Sequence, residues 1–180
     1  MGIFTDDGKL QTGWSFIPIP DGVDMDEEER FRFMNEQRRL LAIELRKQGV
    51  KLCNPREDLT WEIFERLEHK DLTPPTDILI QAENGTYQAI LIGKREGSTF
   101  HIDYLCSTVK GGGVALINKV KQRFSKIELE PLKSLAGYYE SLNFNYINIK
   151  ESDTMVWISQ KGGRQTRRKK LRKSRRKHKQ

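Results

Sequence analysis

The feature that most constrains the fold is residues 98–120, STFHIDYLCSTVKGGGVALINKV. Residues 100–105 alternate between two sets of side chains, which is the period of a strand with two different faces. Three glycines follow at 111–113, and Val114, Ile117 and Val120 then recur at the spacing of a helix. A strand, a glycine turn and a helix N-terminus predict an anion site, because free backbone N–H groups and the helix dipole converge there. The two strand sets are Phe100, Ile102 and Tyr104, and His101, Asp103 and Leu105.

The glycine turn matches neither of two familiar phosphate-binding motifs. No Lys-Ser or Lys-Thr follows the last glycine, as a P-loop requires, and Leu116 stands where the dinucleotide motif has its third glycine. The run KGGGVALI instead resembles the coenzyme A pyrophosphate loop of the GCN5-related N-acetyltransferase superfamily, Gln/Arg-x-x-Gly-x-Gly/Ala. Gly111 and Gly113 occupy the two small positions. Thr108 stands where the family has Gln or Arg, and Lys110 supplies a positive charge nearby.

A second motif follows the first at the distance of one helix and one strand. Residues 126–132, KIELEPL, predict a short strand, and residues 133–144, KSLAGYYESLNF, predict a helix. The end of this helix resembles the Tyr-Glu-Lys-Leu-Gly-Phe signature of the same superfamily, with Tyr139 first and Asn143 in the glycine position. Asparagine adopts the left-handed conformation of a helix C-cap more readily than other side chains do. The order and spacing of the two motifs strengthen the resemblance.

The segments before these motifs complete an alternating pattern of elements. Residues 13–20 predict an edge strand, and Asp24 and Asp26 precede a long helix that ends at Gly49. Thr60 is predicted to cap a second helix. A hairpin and a closing strand pair are then predicted; the hairpin joins 77–82 to 87–92 through Asn84-Gly85, and the closing pair is 146–149 and 155–159. Trp61, Phe64 and Leu67 share one face of the second helix.

These elements predict one α/β (α+β) domain over residues 1–160. Their order resembles the acetyltransferase topology, which implies a mixed, mostly antiparallel sheet with helices on both faces. The resemblance covers roughly residues 13–160 and implies a sheet split between two parallel strands, 98–107 and 126–132. In such a split the pantetheine arm of acetyl-CoA, the implied cofactor, bonds to free backbone groups. The implied cofactor contacts are Leu105, Cys106, Thr108, Lys110, Gly111, Gly112, Gly113 and Val114.

The implied reaction is direct transfer of an acetyl group from acetyl-CoA to a primary amine. The amine must lose a proton, and the departing thiolate gains from a proton donor. Tyr139 is the candidate acid by its place in the signature, although its helical spacing with Leu135, Tyr138 and Leu142 also fits packing. Asp103 is the candidate base, acting directly or through water. His101 is interpreted as a surface strand residue.

Two departures from the superfamily favour an alternative function. Thr108 replaces Gln or Arg, and Leu132 stands roughly where many members have a cofactor-binding Asn. A catalytically inactive member that binds nucleic acid is therefore the second hypothesis. Cys53 and Cys106 lack metal-ligand or redox spacing, which favours free thiols in a reducing, intracellular compartment, with Cys106 a buried structural thiol.

Charge divides the chain into an acidic body and a basic tail. The net charge is +7, but 12 of the 32 lysine and arginine residues lie in 161–180, which has no acid; the other 20 are outnumbered by 25 acidic residues, a net of −5. The acidic body favours a cationic acceptor, such as a protein or peptide lysine, an N-terminus or a polyamine. The tail is predicted to be disordered and to bind nucleic acid through phosphates. Its binding residues would be Arg164, Arg167, Arg168, Lys169, Lys170, Arg172, Lys173, Arg175, Arg176 and Lys177.

The same composition bears on location. A mean hydropathy of −0.69 and the lack of a long apolar run predict a soluble protein with no membrane partner. The basic tail indicates the nucleus, and its Gly-Gly-then-basic composition resembles tails on proteins of large DNA viruses of eukaryotes, which adds a virion as an alternative. The pattern makes no prediction about oligomeric state.

Overall fold

The computed structural model describes residues 3–14, 26–53, 56–68, 76–147 and 153–159 of the 180-residue chain. The basic tail lies outside these ranges, as do most of the predicted edge strand at 13–20 and the predicted turn of the closing strand pair. The boundary at residue 160 and the disorder of the tail therefore stay predictions.

The described residues form one mixed sheet of seven strands. The strand order is β1-β2-β3-β4-β5-β7-β6, and every neighbouring pair is antiparallel except β4 and β5. This arrangement confirms the predicted sheet and its parallel pair. The strands are β1 (Gly13–Trp14), β2 (Thr76–Glu83), β3 (Thr86–Glu96), β4 (Thr99–Ser107), β5 (Lys126–Leu129), β6 (Asn145–Tyr146) and β7 (Met155–Ile158).

Four helices cover the two faces of this sheet. The first two pack with one set of sheet side chains, and the last two pack with the set that points the opposite way. Helices on both faces confirm the predicted fold class. In the described part of the chain, no helix has the length and apolar character needed to cross a membrane. The helices are α1 (Glu27–Lys47), α2 (Glu57–Glu68), α3 (Gly112–Arg123) and α4 (Ala136–Ser141), the last preceded by a 3₁₀ turn (Lys133–Leu135).

Local sequence signals account for most element ends. Asp26 caps α1 by accepting a hydrogen bond from the backbone N–H of Glu29, and the Glu29 carboxylate accepts one from the Asp26 N–H in return. Asn84 and Gly85 have φ of 50° and 80°, as a tight hairpin turn between β2 and β3 requires. Asn143 has φ 64°, so the predicted left-handed residue after the last helix is confirmed.

The second helix differs from its prediction. It begins at Glu57, so Thr60 lies inside the first turn, where its hydroxyl accepts a hydrogen bond from the Cys53 N–H at 3.1 Å. Trp61 is 64% exposed, and Ile63 is buried beside Phe64. The predicted cap is wrong because the helix begins three residues earlier than Thr60. Trp61 lies outside the buried face, which Ile63, Phe64 and Leu67 form, so its predicted place on that face is also wrong.

A bulge at Asp103 changes the two faces of β4. Ile92 pairs with Tyr104 and the next residue, Gly93, pairs with Ile102, so Asp103 is the extra residue. Ile102 therefore packs on the α3 side, whereas Tyr104 packs on the α1–α2 side. The prediction that these two side chains share a face is wrong, because strict alternation assumes an unbroken ladder.

Candidate active site

The two parallel strands separate immediately beyond a short paired region. The register runs from Thr99 opposite Lys126 to Ile102 opposite Leu129. Beyond this point β4 continues beside β3 to Ser107, and the described residues place no strand on its other edge. This opening is the split that the resemblance implied, and it presents backbone groups along the edge of β4.

The glycine turn begins α3 at the end of this edge. Gly111 is the N-cap, with φ 86°, and no side chain caps the helix. Gly112 and Gly113 form the first helical residues, two positions earlier than the sequence pattern predicts. The first turn of α3 carries no acidic residue, whereas α2 has Glu57 and Asp58 in its first turn. The positive end of the α3 dipole is therefore not neutralised by its own chain.

The surroundings of these glycines test whether a pyrophosphate group fits. A Cβ on Gly112 would clash with Oγ of Ser107 and lie 3.0 Å from the Cβ of Ala89. A Cβ on Gly113 would lie 3.2 Å from the Tyr138 hydroxyl oxygen and 3.5 Å from Leu105 Cδ2. The turn thus packs closely on β4 and leaves its backbone free of side chains, which suits close approach of an anion. Residues 111–113 fit the group that the resemblance implies.

The other predicted cofactor contacts differ in how exposed they are and in whether their backbone N–H is already hydrogen-bonded. Leu105 is half-buried beside Gly113, and Val114 is half-buried in the first turn of α3, while Lys110 is exposed at the turn. The N–H of Thr108 donates to the Gln88 carbonyl at 2.8 Å, so the prediction of a free donor there is corrected. This hydrogen bond lies one residue beyond the end of β4. The roles of the other contacts stay predictions.

The two cysteines form a disulfide, which corrects the prediction of free thiols. Cys53, in the connection between α1 and α2, lies with its Cα 4.9 Å from that of Cys106 on β4. Both residues are buried. The packing of the α1–α2 connection on the end of β4 brings together two positions 53 residues apart. The predicted reducing compartment is untested, and this disulfide weighs against it.

The signature tyrosines occupy different environments. Tyr139 is buried and packs edge-on against Phe144, and burial raises the pKa of its phenol to about 12. Tyr138 is more exposed, and its hydroxyl lies beside the glycine turn near Gly113. Burial also raises the pKa of the Tyr138 phenol. Tyr139 as the acid stays a prediction, and Tyr138 is a nearer neighbour of the turn than the sequence spacing indicated.

A cavity of 480 Å³ lies where the parallel strands separate. Its walls include Asp103, which is exposed, and the imidazole of His101, whose Nδ1 lies 3.0 Å from Oε2 of Glu128. From the sequence, His101 was interpreted as a surface residue. The alternation of side chains along one strand does not show which side chain of the neighbouring strand, here Glu128, will lie opposite. Within the described ranges, no three His, Cys, Asp or Glu side chains are grouped to hold a metal ion. The cavity is lined by Arg66, His101, Ile102, Asp103, Tyr104, Glu128, Leu129, Glu130 and Thr154.

Comparison with solved structures finds N-acetyltransferases. Tetrahymena GCN5 has a TM-score of 0.47 and 15% identity, over 66% of this chain and 86% of that chain. The Bacillus subtilis N-acetyltransferase YlbP, solved with coenzyme A, has a TM-score of 0.45 and 16% identity, over 66% and 90%. The aminoglycoside 6'-N-acetyltransferase from Enterococcus faecium has a TM-score of 0.45 and 11% identity, over 75% of this chain and 94% of that chain. No protein-family model and no curated protein sequence matches this chain.

Proposed function

We propose that this protein is an acetyl-CoA-dependent N-acetyltransferase that acts on a primary amine. One observation carries the proposal: an uncapped, glycine-lined helix N-terminus follows directly from the strand edge at which two parallel strands separate. This arrangement offers an anion site at the glycine turn and a row of backbone hydrogen-bonding groups along the edge of β4 that leads to it. A cofactor with a pyrophosphate and an amide-bearing arm matches both.

Further features of the groove suit such a cofactor. The Gly112 N–H donates to the Val109 carbonyl at 3.3 Å, so the N–H groups of Gly111 and Gly113 would hold the pyrophosphate. Exposed Lys110 would add positive charge. Val109, Leu132 and Leu135 are about two-fifths exposed on the segments that follow β4 and β5. These apolar side chains would lose contact with water against the arm of the cofactor. Acetyl-CoA, when bound, supplies a thioester whose acetyl carbon an amine can attack.

The acceptor is proposed to be cationic. Asp103 and Glu130 place carboxylates at the cavity by the strand split, where they would attract an ammonium group and orient it. An ammonium has no lone pair, so a base must remove its proton before the nitrogen attacks. Lysine side chains of proteins or peptides, N-termini and polyamines share this chemistry. Asp103 is the base that the sequence suggests.

Tyr139 would supply the proton for the departing thiolate. Its raised pKa keeps the phenol protonated at neutral pH, as a proton donor must be, although burial also makes it a weaker acid. The thiolate gains the proton as the carbon–sulfur bond breaks, and the phenolate then recovers one from solvent. Tyr138, whose hydroxyl lies beside Gly113, is the control for this assignment.

The basic tail is proposed to tether the enzyme to nucleic acid. Residues 161–180 lie outside the described structure, and the proposal rests on their 12 positive charges alone. Such a tether would raise the effective concentration of the enzyme near acceptors bound to nucleic acid. The second candidate function, an inactive acetyltransferase-like protein that binds nucleic acid, is favoured by Thr108, whose N–H is already donated to β3.

Transfer of a radiolabelled acetyl group separates the two functions. Wild-type protein should label a lysine-rich peptide or a polyamine and should release free thiol in equal amount. The same assay with an uncharged alcohol of similar length should give no product, since an alcohol is a much weaker nucleophile than an amine. Binding of acetyl-CoA without labelling of any amine would favour the inactive alternative.

A further inference from the structure

His101 lies in the cavity in an arrangement that the proposed reaction does not yet use. It faces Glu128 across the parallel pair of strands, and its Nδ1 lies 3.0 Å from Oε2 of Glu128. The Glu128 side chain is only 15% exposed and also pairs with Lys126, so its carboxylate is held in place. The other ring nitrogen, Nε2, lies 3.3 Å from the carboxylate of Glu96, which is 72% exposed.

This pattern decides which imidazole nitrogen can accept a proton. Each ring nitrogen faces a carboxylate, and Glu128 is both closer and less exposed than Glu96, so the single hydrogen of the neutral ring lies on Nδ1 beside Glu128. The lone pair then resides on Nε2. When Nε2 takes up a proton, its new N–H can donate to Glu96, whose exposed side chain can exchange that proton with water. The two carboxylates thus suit an imidazole that alternates between neutral and charged forms.

We propose that His101 is the general base of the transfer, and that Glu128 positions it. This inference rests on the proposed N-acetyltransferase function. One N–H bond of the acceptor ammonium breaks and an Nε2–H bond forms on His101. The freed lone pair of the amine then attacks the acetyl carbon. The carbon–sulfur bond breaks, and its electron pair leaves with the sulfur.

Asp103 has a different role in this scheme. Its carboxylate is exposed and lies on the same cavity wall, where it can hold the ammonium by charge. An imidazole matches the removal of a proton near neutral pH better than a carboxylate does, because a base is most effective when its proton affinity suits the working pH. The charged or titratable groups around His101 are Lys94 and Glu96 on β3, Asp103 on β4, Lys126, Glu128 and Glu130 on or after β5, and Arg66 on α2.

The experiment measures kcat/KM against pH with a small diamine for the full-length wild type and three variants. His101→Gln should lower kcat by about 10²-fold or more and should remove the acid limb of the profile. Asp103→Asn should mainly raise the KM for the diamine and keep the limb. His178→Gln makes the same substitution in the tail and should change neither quantity for a small acceptor.

A second readout does not depend on turnover. Imidazole ¹⁵N chemical shifts of the unliganded protein should show His101 protonated on Nδ1 in the wild type. Glu128→Leu, which cannot accept a hydrogen bond, should lose this preference while the fold is retained. An acid limb that persists in His101→Gln and vanishes in Asp103→Asn would overturn the proposal, as would an Nε2–H tautomer in the wild type. A wild type that acetylates no amine refutes the proposed function itself, and the base assignment falls with it.

Discussion

Replacing Gly113 by glutamate tests the anion site directly. A Cβ at this position would lie 3.2 Å from the end of the Tyr138 side chain and 3.5 Å from Leu105 Cδ2. The tyrosine can yield by a few tenths of an ångström, and glutamate has a higher helix propensity than glycine by roughly 0.5–1 kcal/mol. Gly113 is buried, however, and the added side chain must fit between Tyr138 and Leu105, so Gly113→Glu should lower the free energy of unfolding by about 1–3 kcal/mol.

Acetyl-CoA binding should respond much more strongly. At 100 times its dissociation constant, acetyl-CoA should stabilise the wild type by about 2.7 kcal/mol, which raises Tm by roughly 5–10 °C for a domain of this size. A glutamate about 4 Å from one unit of phosphate charge adds about 4 kcal/mol of repulsion at an effective dielectric constant near 20. That raises the dissociation constant roughly 1,000-fold, so the stabilisation in the variant should fall to about 0.1 kcal/mol or less.

Thermal unfolding with and without acetyl-CoA measures both quantities. Asn118→Glu adds the same charge on an exposed face of α3, more than one turn from the glycines, and should keep most of the wild-type shift. An equal Tm shift in Gly113→Glu and Asn118→Glu would show that the cofactor does not bind at the glycine turn. No shift in the wild type at millimolar acetyl-CoA would remove the enzyme hypothesis.

Three more predictions test other parts of the molecule. Tyr139→Phe should lower kcat about 10²-fold with little change in acetyl-CoA affinity, and Tyr138→Phe should lower kcat less. Small and equal effects of the two substitutions on kcat, measured by rapid quench, would mean that both rings only pack. Gly93→Ala should lower the free energy of unfolding, measured in urea, by about 3 kcal/mol, since its Cβ would clash with a backbone carbonyl and lie 2.5 Å from Phe100 Cε1. An unchanged free energy of unfolding would refute the close packing at the bulge. Full-length protein should bind duplex DNA with a slope of log K against log salt near −5, as expected for about 6 phosphate contacts, and deletion of 161–180 should abolish this binding. Binding that is insensitive to salt, or that persists after the deletion, would show that the nucleic-acid surface lies outside the tail.

The sequence by itself determined features that depend on a few neighbouring residues. The capping box at Asp26, the Asn84-Gly85 hairpin turn and the left-handed Asn143 follow from local conformational preferences. The strand, glycine turn and helix of the candidate site are local in the same sense. Their order along the chain and the hydrophobic periodicity predicted a mixed α/β domain, and the resemblance to the acetyltransferase superfamily implied the parallel pair.

Only the tertiary structure decided the features that join distant segments. The bulge at Asp103 depends on how β3 and β4 align, and a shift of one residue turns each side chain to the other face of the sheet. The pairing of Cys53 with Cys106 and of His101 with Glu128 depends on packing between elements that are far apart in sequence. No local preference encodes such contacts, because they arise from the register and burial of the whole sheet. The residues that distinguish a reactive cavity from a surface strand are therefore visible only once the strands are assembled.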